Sequence, residues 1–321
     1  ARINDKAAGA DEILRLDRKT REALGIKPRG GQMIQPWVTR APDVGDSKAI
    51  PVELTYTFNV KVSPAGSLTL ALEVPELDQI CLNGHTLDPD SDSGWWVDRS
   101  LRTIPVDSSL LKWGKNTLTL CSDYSASHPG FEIVYLLGEF GVQLKKTEAT
   151  LIAPSNTLRI GDWVKQGLPF YSGNLAYRAT VNVTHTKGER VFVQVPSFKG
   201  VAVRVLVNGD IAGLIAWEPN ELDITDYVKG DSAEIAIEVA GHRRNSHGPL
   251  HNAEKWPEWS GPEQFVSQGK EWVDHYNLVP CGLMAAPAIV LKKVSVKAVT
   301  ESKRNEYTDT QRQLVLSLYQ P

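Results

Sequence analysis

The sequence predicts an all-β protein made of two tandem antiparallel β-sandwiches, preceded by one helix and an extended connector. From Pro51 onward, apolar and polar residues alternate in short runs that Gly, Pro, Asn or Asp residues separate, which is the pattern of half-buried strands. The same order of strands and turns returns after residue 170, which indicates an internal repeat. A length of 321 residues suits two domains, since a domain commonly takes about 150 residues.

Five segments follow from this pattern. Near the N-terminus, Ile13, Leu14 and Leu16 recur at helical spacing among charges, and Gly25 is expected to end the helix. The stretch from Lys27 to Pro51 is rich in Pro and Gly and is typical of an extended connector. The predicted boundaries are residues 1–49 for the helix and connector, 50–146 for the first sandwich, 147–167 for a linker, 168–296 for the second sandwich and 297–321 for a C-terminal extension.

The two predicted sandwiches align strand by strand. Tyr56 corresponds to Tyr177, and Asn83-Gly84 corresponds to Asn208-Gly209, each pair of residues being a predicted tight turn. The strands of the first copy are VELTYTFNVKV, SLTLALEV, NTLTLCSDY and EIVYLLGEFGVQL, and those of the second are YRATVNVTHT, RVFVQVP, VAVRVLVNGD, AEIAIEVAG and AIVLKKVSV. The C-terminal run LVLSLY is either a final strand or a segment that pairs with another molecule.

The second copy carries an insertion of about 30 residues within the range 241–275. Long connections in compact domains are uncommon unless they are functional or disordered, and this one is too rich in Trp and His for a disordered tail. We expect it to fold over one edge or end of the second sandwich.

Composition excludes several classes of function. With 35 Lys and Arg against 38 Asp and Glu, the net charge of −3 provides no basic field for nucleic acid, and we find no apolar run near the roughly 20 residues of a membrane span. Cys81, Cys121 and Cys281 include no CxxC pair, so we expect no zinc site. Signatures of nucleophilic serine, phosphate-binding and HExxH metal sites are also missing.

The insertion contains the side chains that carbohydrate recognition requires. Aromatic rings cover the apolar C–H face of a sugar, and polar side chains bind its hydroxyls. The candidates are Trp256, Trp259 and Trp272 for stacking and Arg243, Arg244, His247 and His251 for hydrogen bonding. The alternative is that these tryptophans are buried and only anchor a long loop.

The first sandwich contains a second candidate site at Trp95, Trp96 and Arg99. Adjacent strand residues point to opposite faces, so at most one of the two tryptophans can enter the core. The other then contacts a sugar or a neighbouring domain.

No cofactor is expected, with calcium as the alternative. Asp88, Asp90 and Asp92 are spaced as in calcium loops, but no acidic residue closes a twelve-residue loop, which favours a solvated turn. Glycosidic hydrolysis requires two convergent carboxyl groups, and no motif singles out such a pair among Glu218, Glu221, Asp223, Glu254, Glu258 and Glu263.

Several stretches together resemble the C-terminal region of large alpha-L-rhamnosidase-like glycosidases, which carries tandem galactose-binding-like or family 2-type jelly rolls. They are LRLDRKTREALGIKPRGGQMIQPW, SGWWVDRSLRTIPVDSSLLKWGKNTLTL with YLLGEFGV, LPFYSGNLAYRATVNV, VLVNGDIAG, LDITDYVKGD and RRNSHGPLH. The resemblance implies jelly-roll sandwiches in which Tyr171, Ser172, Gly173, Tyr177 and Asn208 are framework residues. It also implies that the RRNSHGPLH loop faces a sugar or a catalytic domain.

The sequence therefore predicts a pair of non-catalytic carbohydrate-binding modules ancillary to polysaccharide degradation. Their expected partners are an oligo- or polysaccharide and a catalytic glycosidase domain, and the expected location is extracellular or periplasmic, although the chain begins without a signal peptide. Two alternatives stay open: a glycoside hydrolase or polysaccharide lyase with a site between the sandwiches, and a structural module that docks on a catalytic partner.

Overall fold

The computed structural model describes residues 1–29, 48–91, 93–155, 157–255, 261–293 and 308–315. It divides the chain into two compact units, unit 1 comprising Ala1–Pro154 with Pro249–Asn277, and unit 2 comprising Ser155–Gly248 with Leu278–Pro321. Both units are built mainly of antiparallel strands, which confirms the all-β fold class.

The strands of unit 1 are β1 (Arg2–Ile3), β2 (Lys6–Ala7), β3 (Ile50–Val60), β4 (Ala65–Glu73), β5 (Gln79–Leu82), β6 (His85–Leu87), β7 (Trp95–Trp96), β8 (Asp98–Val106), β9 (Gly114–Tyr124), β10 (Tyr135–Glu139), β11 (Gly141–Lys145) and β12 (Glu148–Ile152). The α-helices of the described chain are α1 (Ile13–Ala23), α2 (Arg244–His247) and α3 (Pro262–Phe265). Short 3₁₀ helices occur at Pro75–Leu77, Ser108–Leu110, Trp163–Gln166, Thr225–Tyr227 and Gly269–Glu271.

Two sheets form the sandwich of unit 1. Sheet 1 has the order β11-β12-β3-β9-β5-β6, with β1 and β2 added beside β3, and sheet 2 has the order β10-β4-β8-β7. The core between them contains alternate residues from both sheets, such as Leu54 and Leu120 from sheet 1 and Leu70 and Ile104 from sheet 2. The period of two in the sequence thus corresponds to one buried and one exposed sheet face.

Helix α1 packs against this sandwich. At its start, the Glu12 carboxylate accepts hydrogen bonds from the backbone N–H groups of Leu14 (2.9 Å) and Arg15 (3.2 Å). At its end, Gly25 adopts a φ of +71° and the Ile26 N–H donates to the Arg21 carbonyl, which is the Schellman arrangement. The helix therefore ends where the sequence predicts.

A buried carboxylate fastens α1 to the sandwich. Asp17 is 2% exposed, and its Oδ1 accepts from the Tyr124 hydroxyl at 2.6 Å and from the Phe131 N–H at 2.9 Å. Its Oδ2 accepts from Nε of Arg29 at 2.9 Å. Burying a charged side chain without partners is unfavourable, because the charge loses its hydration. The three hydrogen bonds to Asp17 compensate for that loss.

The strands of unit 2 are β13 (Asn174–Asn182), β14 (Glu189–Gln194), β15 (Phe198–Lys199), β16 (Ala202–Val207), β17 (Asp210–Ile215), β18 (Glu221–Asp223), β19 (Ser232–Ala240), β20 (Gly282–Leu283), β21 (Ala288–Lys293) and β22 (Thr308–Val315). Sheet 3 has the order β13-β19-β16-β17, and sheet 4 has the order β18-β14-β21-β22. The core between these sheets is rich in β-branched residues such as Val193, Val205 and Ile237. The backbone of the C-terminal segment thus adds a strand to sheet 4.

The structure differs from two expectations about the connecting segments. The expected linker 147–167 contains β12 of sheet 1 and Trp163, which is fully buried in the core of unit 2. The expected insertion on the second sandwich instead contributes Pro249–Asn277 to unit 1, because its side chains pack against α1, with the Arg15 guanidinium 4.2 Å from the ring centre of Trp272.

The two predicted tight turns have the same structure. Asn83 and Asn208 have φ angles of +54° and +51°, which Asn tolerates better than most residues. Oδ1 of Asn83 accepts from the Thr117 N–H at 3.0 Å, and Oδ1 of Asn208 accepts from the Glu234 N–H at 2.9 Å. The internal repeat therefore extends to individual hydrogen bonds.

Candidate functional site

Among the described residues of unit 1, Trp113 in the turn before β9 has the most exposed aromatic side chain. Its side chain is 78% exposed, although an indole is among the largest apolar groups that a chain can bury. Lys112 and Lys115 flank it on the surface. A tryptophan displayed in this way is a platform for an apolar partner surface.

A buried asparagine holds this turn in place. The Asn116 side chain is fully buried, and its Oδ1 accepts from the N–H of Lys112 (2.8 Å) and from Nδ2 of Asn83 (2.8 Å). Its Nδ2 donates to the carbonyls of Lys112 (2.7 Å) and Gly114 (2.9 Å). Three of these hydrogen bonds fix the backbone on both sides of Trp113, so little conformational entropy is lost when a ligand binds there.

Trp113 is not among the site residues predicted from the sequence. The signal that could have found it is local: the tryptophan lies between a 3₁₀ turn and a strand, with Lys on one side and Gly-Lys on the other. This pattern singles out a candidate but does not decide its burial, because Trp163 follows Gly and Asp in the sequence and is nevertheless fully buried.

Trp95 and Trp96, two of the predicted site residues, point in different directions as expected for neighbours on a strand. Trp95 is 57% exposed and lies opposite Arg102 in the pairing of β7 with β8. Trp96 packs on Tyr135 with ring centres 4.9 Å apart. Arg99 is exposed near the tight turn at Val97, whose φ of +69° is strained for a β-branched residue. Trp95 and Arg99 are therefore each exposed, and Trp96 is half-buried.

Trp272 and His251 lie together in unit 1, within an aromatic cluster. Their rings stack at 4.7 Å with an angle of 19° between planes, and Tyr276 contacts His251 at 5.1 Å. The Arg15 guanidinium lies over the same indole, and the indole N–H donates to Asp274 at 2.9 Å. Protein groups therefore already occupy the contacts that Trp272 would offer to a sugar.

Arg243, Arg244 and His247 belong to unit 2, at the short helix α2. Arg243 is exposed, whereas Arg244 and His247 are half-buried, and burial lowers the pKa of both. The Asn245 side chain holds the helix against Val279, because its Nδ2 donates to the Val279 carbonyl and its Oδ1 accepts from the Val279 N–H. Trp256 and Trp259, the remaining predicted residues, lie outside the described residues.

Unit 2 displays its own tryptophan, Trp217, which is 81% exposed. Unlike Trp113, it follows a strand with an apolar outer face, because Ile211 and Leu214 of β17 are also largely exposed. β17 is the edge strand of sheet 3. This surface is more apolar than the surroundings of Trp113, which favours a protein over a polyhydroxylated ligand.

Unit 1 also contains a small cavity whose lining combines apolar side chains with acidic and phenolic groups. Its volume is about 20 Å³, with Tyr56, Asp78, His128 and Glu132 in the lining. The Tyr56 hydroxyl and Oδ1 of Asp78 are buried without a hydrogen-bonding partner in the structure, and burial raises the pKa of Asp78 to about 6. The volume suits one water molecule, so a sugar substrate cannot enter.

Glu12, the cap of α1, gives unit 1 a pH-dependent stability. Burial is the main cause that raises its pKa to about 7, with a smaller contribution from Asp11 and Glu132. A raised folded-state pKa stabilises the fold below about pH 4.5 and ceases to do so as the pH passes through about 7. We expect thermal unfolding of unit 1 to shift to lower temperature between pH 5 and pH 8.

Glu12→Gln should weaken that dependence, because the amide oxygen still caps the helix but carries no charge. Melting temperatures at pH 5 and pH 8 measure the effect, with Glu22→Gln as the control, since Glu22 is exposed on the same helix. An undiminished pH dependence in Glu12→Gln would show that Glu12 is not its source.

Three further findings concern the described residues. No three His, Cys, Asp or Glu side chains among them are grouped so that they could hold a metal ion. In the acidic turn, Oδ1 of Asp88 accepts from the N–H of Asp90 at 3.0 Å, and Asp92 lies outside the described residues. Of the helices described, none has the length and apolar character needed to cross a bilayer.

Comparison with known proteins returns structures but no sequence relatives. No protein-family model matches the chain, and no curated protein matches it. The chain is similar to a rhamnosidase and to an alpha-L-rhamnosidase. One, from a Novosphingobium species, is 16% identical over 77% of this chain and 23% of its own, with a TM-score of 0.32. The other, from Streptomyces avermitilis and complexed with L-rhamnose, is 13% identical over 83% of this chain and 25% of its own, with a TM-score of 0.29.

A lectin from Pleurotus ostreatus is also similar, at 11% identity over 85% of this chain and 78% of its own, with a TM-score of 0.23. The chain spans about a quarter of the length of the two rhamnosidases. TM-scores this low leave the function to be argued from the residues of this chain.

Proposed function

We propose that this chain is a non-catalytic carbohydrate-binding protein, ancillary to polysaccharide degradation, and that Trp113 is its principal sugar-stacking residue. The observation that supports the proposal is a largely exposed indole on a turn whose backbone makes three hydrogen bonds with one buried asparagine. A rigid, exposed aromatic face is the feature that covers the C–H face of a pyranose ring at low entropic cost.

Trp95 with Arg99 forms a second proposed contact surface on unit 1. Trp95 lies opposite Arg102, in the middle of β8, whereas Trp113 lies in the turn before β9, so the two tryptophans belong to separate surface elements of unit 1. A polysaccharide offers repeated rings that can occupy both surfaces, and two weak contacts on one chain reinforce each other. An extracellular or periplasmic location, where such polymers occur, belongs to the same proposal.

Binding to immobilised plant, fungal and bacterial polysaccharides tests this proposal. Trp113→Ala is expected to weaken binding by about 30-fold, which is the effect of losing a contact worth about 2 kcal/mol. Its melting temperature should stay close to that of the unmodified chain, because the removed side chain is exposed. Trp217→Ala is the matched control, since this equally exposed tryptophan lies in unit 2.

Product analysis of every polysaccharide that is bound separates the alternatives. Retention without new reducing ends or unsaturated products is the expected result. New products would show a hydrolase or lyase instead. Absence of both binding and cleavage would favour a docking role for the chain, with the apolar surface around Trp217 as the first place to search.

A further inference from the structure

An open groove lies on sheet 1 of unit 1. Its volume is about 420 Å³, within the roughly 300–1,000 Å³ of small-ligand sites. The polar side chains in its lining include Arg2, Asp5, Glu53, Gln79 and Asp123. Unlike the water-sized cavity, this groove has room for a sugar ring.

Strand register explains why these side chains meet. Arg2 pairs with Glu53, Glu53 with Cys121, and Cys121 with Gln79, so one row crosses four neighbouring strands. Directly paired residues of antiparallel strands point to the same sheet face. Asp123, two residues after Cys121 on β9, points to that face as well, and Asp5 lies in the tight turn between β1 and β2.

The groove is negatively charged. Asp5, Glu53 and Asp123 are exposed carboxylates, against a single guanidinium from Arg2. The thiol of Cys121 has a raised pKa, first through burial and then through the charge of Glu53, so the thiol stays neutral. A concave surface lined by one sign of charge concentrates ligands of the opposite sign.

We propose that this groove binds sugars that carry a free amino group, such as glucosamine units of a partly deacetylated polysaccharide. The inference rests on the proposed carbohydrate-binding function and specifies a ligand for a second site. The ammonium group donates three hydrogen bonds, which the carboxylates of Glu53 and Asp123 can accept, while Gln79 and Arg2 can bind hydroxyls. The exposed side chain of Leu77 supplies an apolar contact for the ring.

Titration calorimetry with a glucosamine tetramer and with its fully N-acetylated counterpart tests the charge requirement. The full chain is expected to bind the free amine at least tenfold more tightly, and added salt should reduce the difference. The double variant Glu53→Gln/Asp123→Asn should lose that preference. Glu148→Gln, which removes an exposed carboxylate on β12, is the control and should keep the preference for the free amine. Unchanged melting temperatures would show that all variants fold.

Three outcomes would overturn the inference. The unmodified chain could bind the two tetramers equally well, or the double variant could keep the preference of the unmodified chain for the free amine. Alternatively, spermidine could bind as tightly as the glucosamine tetramer. Trp113→Ala separates the two proposals. If the Trp113→Ala variant still prefers the free-amine tetramer but no longer binds other polysaccharides, the groove binds its ligand independently of Trp113. If Trp113→Ala binds every polysaccharide as the unmodified chain does, the Trp113 proposal fails. The groove inference still stands in that case, provided that the double variant loses its preference for the free-amine tetramer.

Discussion

Asp17→Ala is expected to lower the free energy of unfolding of unit 1 by about 3–5 kcal/mol, the usual loss when one partner of a buried ion pair is removed. The carboxylate accepts from the Tyr124 hydroxyl, the Phe131 N–H and Nε of Arg29. Its removal leaves a buried hydroxyl and a buried N–H without an acceptor. Arg29 keeps its hydrogen bond to Glu132 at 2.7 Å, so its guanidinium loses one carboxylate partner and retains the other.

Denaturant unfolding followed by circular dichroism measures this loss. Glu22→Ala on the same helix is the control, since Glu22 is exposed and its removal should change stability by no more than about 0.5 kcal/mol. A loss below about 1 kcal/mol in Asp17→Ala would show that the helix is not fastened through this carboxylate.

Trp163→Ala is expected to destabilise unit 2 by a similar amount, about 3–5 kcal/mol. Trp163 is fully buried in the core cluster of that unit, and its backbone N–H donates to the Cys281 carbonyl at 2.9 Å. Gly282 packs so closely that an added Cβ would lie 3.2 Å from the indole. Neighbours this tight cannot collapse fully into the vacated volume, so a cavity remains.

The same unfolding experiment tests Trp163, with Trp217→Ala as the matched control in unit 2. Trp217 is the same residue type but largely exposed, so its loss should leave stability nearly unchanged. Trp163→Phe should fall between the two, because a smaller ring leaves a smaller cavity. If Trp163→Ala and Trp217→Ala unfolded alike, the segment around Trp163 would lie outside the core, as the predicted linker 147–167 implies.

The sequence by itself determined the local features of this protein. Alternation with a period of two predicts the strands because successive side chains point to opposite sheet faces. Gly25 predicts the end of α1, and the Asn-Gly pairs predict the two tight turns, because few other residues tolerate a positive φ. Each of these signals depends on residues within one element, so it can be read without knowing what that element contacts.

Only the tertiary structure decided which tryptophans are buried and which side chains meet. Trp163 is buried and Trp113 exposed, although both follow turn residues in the sequence. Asp17 contacts residues more than 100 positions away, and the groove unites Arg2, Glu53, Gln79 and Cys121 through the register of four strands. Burial and register depend on long-range packing that no local pattern encodes, because a shift of one residue moves every side chain of a strand to the other face.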